Sequence, residues 1–334
     1  NRKGKSFGYQ VLGFGAGGAA DAFIVACGGT VTEDGNFKIH TFTGPGTFTV
    51  SSLATDSAND VADYLVVAGG GSGGVRNPGN ANGGGGAGGF RYSSATFTTP
   101  ACAPANPIKS PTGVTLTAAS FTIAVGAGGP AVTAQPGDVI GNDGAVSTFS
   151  SITSAGGGGG GAGGGPGTGR NGGSGGGSGG GGPRTGGTGN SPPVSPAQGT
   201  NGGSNPGTSP DGQAGGGGGA IAVGADATPS ANGPGGAGAG IPTALGTSGV
   251  PNAPTDAFRY FAGGGGSGIR DAVAAGSGGI GGGGTGGSTP QAAQAGTANT
   301  GSGGGGGCST SLPADPSGAG GSGIVVIRYR FQAD

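Results

Sequence analysis

Unbroken glycine runs leave this chain few ways to fold. Gly156–Gly161, Gly215–Gly219, Gly263–Gly266 and Gly303–Gly307 carry no side chain at all, and residues 155–308 hold 62 of the 96 glycines. Such a block cannot fill an ordinary apolar core. Fixing each backbone unit costs about 1–2 kcal/mol, and glycine loses the most freedom. An ordered block must therefore offset that cost by bonding and packing backbone against backbone. Glycine does not recur strictly every third residue, which excludes a collagen triple helix. The remaining regular solution is a bundle of polyglycine II rods. These are extended left-handed helices with three residues per turn and φ, ψ of about −75° and +145°, bonded laterally to one another. A side chain on an interior glycine such as Gly217 is expected to break the packing, and one at Thr200, read as a loop position, to be harmless.

Outside the block the pattern is that of strands. Phe37, Ile39 and Thr41 alternate with Lys38, His40 and Phe42, and Gly44-Pro45-Gly46 then leads into Thr47–Val50 as a hairpin would. Tyr64–Ala68, Phe90–Phe97, Leu116–Val125 and Val146–Ile152 are further candidates. Gly323–Phe331 is the clearest strand, with Val325, Ile327, Tyr329 and Phe331 on one face and Arg328 and Arg330 directed at solvent or a neighbouring chain. Period two, β-branched and aromatic residues, and no helical periodicity predict an all-β fold with essentially no α-helix. The predicted organisation is a small sheet or sandwich domain (30–153 plus 323–334), an inserted polyglycine II bundle (154–322) and an N-terminal docking peptide (1–29). The strands on either side of the block are expected to share one sheet.

Composition narrows the function. The net charge is −1, so nothing draws the chain to nucleic acid or an anionic membrane. No apolar run is long enough to insert in a membrane. Cys27, Cys102 and Cys308 form no metal or disulfide pattern. Ile24–Cys27 after Arg2, Lys3 and Lys5 has some of the look of a lipoprotein cleavage box, but Gln10, Asp21 and five glycines break the apolar stretch. His40 lacks a nucleophile motif nearby and is read as a partly exposed hairpin residue. Glu33-Asp34-Gly35 is read as a turn, with cation binding as the alternative. No catalytic residue, metal or cofactor is expected, and the chain is read as non-enzymatic.

The hairpin HTFTGPGTFTV, the strand running into glycine in YLVVAGGGSGG, then GGGGAGGF, FTIAVGAGG and the closing GGSGIVVIRYRF resemble, in this order, the glycine-rich domain proteins of bacteriophages. The resemblance covers about residues 37–331. It implies a virion surface or extracellular location and a tail-fibre adhesin whose loops meet a host glycan or protein. A head-surface decoration fibre and a bacterial surface or matrix protein are the alternatives. It also implies other virion proteins as partners of the N-terminal segment, and a homo-oligomer, with a trimer possible. Glycine rods offer no side chains, so recognition is expected between them, at Arg184, Gln198, Asp211, Asp226, Asp256, Arg259 and Tyr260.

Overall fold

A strand apolar on both faces must be covered on both, and Val61–Val67 and Ile324–Arg330 are such strands. The computed structural model describes residues 22–76, 79–133, 137–207, 212–253, 256–270, 273–308 and 315–333. The strands are β1 (Val25–Cys27), β2 (Thr30–Asp34), β3 (Phe37–Phe42), β4 (Gly46–Ser52), β5 (Val61–Val67), β6 (Phe90–Ser93) and β7 (Lys109–Ser110). They continue with β8 (Val114–Thr115), β9 (Ser120–Ala124), β10 (Ser147–Phe149), β11 (Ile152–Ser154), β12 (Ala239–Pro242), β13 (Phe258–Phe261) and β14 (Ile324–Arg330). The described residues contain no α-helix, so the chain is all-β.

One sheet runs β2-β3-β14-β5-β6-β7, with β8 joined to β5, and a second runs β1-β4-β9-β10-β11. Between them Phe42, Phe48, Val50, Tyr64, Val66, Ile123, Phe149, Val325, Ile327 and Tyr329 form a core. The far face of the first sheet is covered as well. Ile39, Leu65, Val67, Phe90, Ile324 and Val326 pack there against Ala105, against Ile241 and Phe261 of the β12–β13 pair, and against Leu245 in the 3-10 turn after β12. β14 lies between β3 and β5, antiparallel to both, so strands from before and after the glycine block do share one sheet.

Several local expectations are corrected by this layering. Gly44-Pro45-Gly46 does not close a hairpin: β3 and β4 belong to different sheets, and the turn carries the chain from one layer to the other. Gly28 and Gly29, at φ +119° and +62°, make the same crossing between β1 and β2. Residues 25–27, expected to be part of a docking peptide, pair with β4 as a strand of the sandwich; residues 1–21 lie outside the described residues. Of Glu33-Asp34-Gly35, expected to form a turn, only Gly35 lies in one: Glu33 and Asp34 are the last residues of β2, and Gly35, at φ +56°, opens the two-residue connection of the β2–β3 hairpin.

His40 is fully buried rather than partly exposed, because the second sheet covers its face of β3. Its Nδ1–H donates to the Gly28 carbonyl at 2.7 Å, which leaves Nε2 to accept from the Tyr329 hydroxyl at 3.2 Å. Burial first, and then the Lys38 charge, hold the imidazole below its ordinary 6.5 against the bond to Gly28. The unfolded chain therefore takes up this proton before the folded one does. Stability is expected to fall as pH drops below about 6.5, by up to about 1.4 kcal/mol per pH unit for this one group. Urea unfolding above and below that pH checks it: His40→Phe should lose less stability on acidification than the wild type, and equal losses would refute the assignment.

The glycine tracts run out from the sandwich and back as straight rods. In the rod at 81–89 the N–H groups of Gly83, Gly86 and Gly89 donate to Gly161, Gly158 and Ala155. Those of Gly84 and Ala87 donate to Gly215 and Gly218, and those of Gly85 and Gly88 to Gly304 and Gly301. Every third residue thus addresses the same neighbour, the period of an extended threefold helix. Its carbonyls accept from three further rods, through Gly71 and Gly74, Ser174 and Gly177, and Gly265 and Gly268. Six rods consequently surround this one. The rod at 68–76 is built the same way, donating to 139–145, 318–321 and 83–86 in rotation.

The rods do not respect the predicted boundaries. Two pairs, 68–76 with 81–89 and 126–133 with 139–146, arise within the stretch read as the sheet domain, and β12 and β13 arise inside the block. Thr200 is another correction. It lies in a rod, and its hydroxyl donates to the carbonyls of Gly219 at 2.8 Å and Ala222 at 2.7 Å.

Candidate recognition surface

Because each rod begins or ends at the sandwich, the loops fall into two groups at opposite ends of the lattice. The sandwich end holds 190–198, 220–222, 240–253, 256–258 and 281–283, as bonds such as Phe90 N–H to the Gln198 carbonyl and Ala105 N–H to that of Gly240 show. The far end holds the described residues 76 and 79–80, 162–167, 181–185, 205–207 and 212–213, 228–231, 270 and 273–275, and 288–293. Side chains knit that end together: Arg76 and Asn80 both donate to the Gly163 carbonyl at 2.8 Å, Asn205 to that of Gln213 at 2.9 Å, and Asn82 to that of Gly307 at 2.9 Å.

The seven residues selected from the sequence divide between these ends. Arg184 and Asp226 are at the far end. Asp226 is exposed and accepts from the Ser204 N–H at 2.6 Å. Asp211 lies outside the described residues. Asp256, Arg259 and Tyr260 are at the sandwich end, where β13 seals the core with Phe261. Asp256 accepts from the Phe258 N–H at 3.0 Å, and burial followed by the Asp256 carboxylate pushes the Tyr260 hydroxyl above its ordinary 10. Gln198 is a correction. It is 1% exposed, and its carboxamide accepts from the Ala155 N–H at 2.8 Å and donates to the Pro192 carbonyl at 2.9 Å. It fastens a rod end and has no surface to offer a receptor.

The far end gathers chemistry that the sequence reading passed over. Arg76 meets Asp138 at 3.3 Å, and the Asp138 carboxylate also accepts from the Gly165 N–H. Arg184 donates to the Ala162 carbonyl at 3.2 Å, and Arg270 to Asn80 at 3.4 Å. Burial, then the like charge of Arg76, lower the Arg184 guanidinium from its usual value. Beside it a groove of about 380 Å³ is walled by Thr168, Pro183, Arg184, Thr185, Ser204, Asn205 and Pro206. Flat proline faces, hydroxyls, a carboxamide and a guanidinium together can hold a small polar ligand such as one or two sugar rings. Arg76 and Asp138, 62 positions apart in sequence, had no local pattern to mark them; each follows a glycine rod, and only the pairing of the rods joins them.

Among the described residues no group of three or more His, Cys, Asp or Glu is placed to hold a metal ion, and no helix is long and apolar enough to cross a membrane. A family model described as a glycine-rich domain matches residues 41–330. The chain belongs to that glycine-rich domain family. The match starts within β3 and ends at the last residue of β14, so it takes in every described rod and every strand from β4 onward, and leaves out β1, β2 and the first part of β3. No curated protein matches the chain.

Proposed function

We propose that this glycine-rich domain protein is a non-enzymatic structural protein of a virus particle, a tail-fibre adhesin of a bacteriophage. Its glycine block serves as a polyglycine II lattice that holds recognition loops rigidly away from the particle. The observation that carries the reading is the separation of the two ends. Ala22, bonded to Thr55, and Phe331, bonded to Asn36, both lie at the pole of the sandwich away from the rods. The turns bearing Arg184, Asp226 and the groove lie at the other extreme. Attachment at one pole leaves the other free for a host glycan or protein. Many copies on one particle would let weak single contacts add by avidity.

The reading favours the far-end loops as the contact and the sandwich-end loops as structure. Exchanging 181–187 or 228–231 for a related protein's loop should lower particle adsorption to host cells at least about tenfold or change the host. Exchanging 251–253, exposed at the sandwich end, should not. If every far-end exchange leaves adsorption and host choice unchanged, the protein is decoration rather than an adhesin.

A further inference from the structure

The sheet edges are unequally protected. β1 has three residues and a register shift between Val25 and Ala26. β7 has two residues, one of them Lys109. β11 has three, and its continuation is captured at once by the rod bond from Gly89 to the Ala155 carbonyl. Shortness, bulges and lysine are the usual devices against unwanted strand pairing. β2 is neither short nor bulged and has no lysine; its charges, Glu33 and Asp34, sit together at one end. Its five residues keep unbroken register with β3, all five are exposed, and Val31 is a 46% exposed apolar side chain. Among the described residues, its main-chain groups facing away from β3 have no partner.

The sequence of this edge, Thr30-Val31-Thr32-Glu33-Asp34, selects its own occupant. Parallel self-pairing would set Glu33 against Glu33 and Asp34 against Asp34, and like charges directly opposed are destabilising. Antiparallel pairing centred on Thr32 sets Thr32 against Thr32, Val31 against Glu33 and Thr30 against Asp34. No charges clash, and a threonine pair sits on the axis. Centres nearer β1 run into Gly28 and Gly29, whose positive φ ends the strand. We propose that β2 is a self-association edge, where two copies of this chain pair antiparallel about a twofold axis through Thr32 and join their larger sheets into one. A five-residue edge makes a small contact, so the single pair is weak and matters where copies are held close together.

Cross-linking captures a weak pair. Directly opposed residues on antiparallel strands have Cα atoms about 4.5–5.5 Å apart, within disulfide range. With the exposed Cys27 and Cys102 changed to serine, Thr32→Cys should form a covalent dimer under mild oxidation at least about tenfold faster than Asp34→Cys, whose twofold mate is roughly 14 Å away at ~3.4 Å per residue. In sedimentation, Thr32→Lys and Thr32→Glu should each be more monomeric than the wild type, and their mixture should regain the dimer. Equal cross-linking of the two cysteine variants, or a mixture that stays as monomeric as its components, would overturn the proposal.

Discussion

Gly217→Ala should abolish or grossly weaken cooperative unfolding, although it adds one methyl group. A Cβ built on Gly217 lies 1.9 Å from the Gly85 carbonyl oxygen, itself the acceptor of the Gly265 N–H. The obstacle is backbone, so no rotamer change relieves it. Moving the 81–89 rod would disturb the six rods around it. Ordinary core overpacking costs about 1–3 kcal/mol because neighbouring side chains yield; here nothing yields, and a loss above that range is expected. Gly44→Ala is the control. A Cβ there meets nothing within 4 Å, and the change should stay within about 0.5 kcal/mol. Thermal or urea unfolding of the two variants decides the matter, and similar stabilities would refute the close-packed lattice. Thr200→Val is an intermediate case: the Gly219 and Ala222 carbonyls lose the hydroxyl they share but each keeps a backbone N–H donor, so the cost should be about 0.5–1.5 kcal/mol.

Asp63→Asn should cost about 3–5 kcal/mol, the range for removing one partner of a buried ion pair. Arg328 is 3% exposed and Asp63 fully buried, with Nη1 3.6 Å from the carboxylate. The carboxylate also accepts from the N–H groups of Ala95 and Thr96 and from the Thr96 hydroxyl, while Arg328 donates to that hydroxyl at 2.8 Å. The guanidinium is flanked by Phe37, 3.5 Å from the ring centre, and Phe97 at 4.6 Å. Burial pushes the Asp63 carboxyl up and the Arg328 guanidinium down, each opposed by the partner's charge. An amide at 63 keeps an acceptor for the loop but strands the cation. A variant as stable as the wild type would show that the pair carries no such weight.

Arg328 also marks where sequence reading stopped. Alternation along β14 assigned it to solvent or a neighbouring chain, on the premise that one face of the strand is left open within this chain. That premise fails when both faces of a sheet are covered. The signal was present in β5, where Asp63 interrupts Val61-Ala62 and Tyr64–Val67; a lone carboxylate in a buried strand needs a buried cation. His40 was misplaced for the same reason. The glycine rods were legible because nearly pure tracts exclude every other regular structure. Which rod lies beside which was not, since one glycine tract reads like another. The far-end grouping of Arg76, Asp138 and Arg184 depends on that pairing and stayed hidden with it. Arg184 was picked out only because it is a charged residue between rods, and Gln198, picked on the same ground, proved to be a fastener.

The place of β14 fixes an order of assembly. β3 and β5 are made early in synthesis, yet neither pairs with the other; the strand that joins them is translated after the last rod. As the chain leaves the ribosome, nearly three hundred residues must wait for their central strand. Contacts so distant in sequence make folding slow. A nascent chain holding open apolar edges for that long depends on its own glycine-rich, weakly sticky middle, or on chaperones, to stay soluble until the final strand closes the sheet.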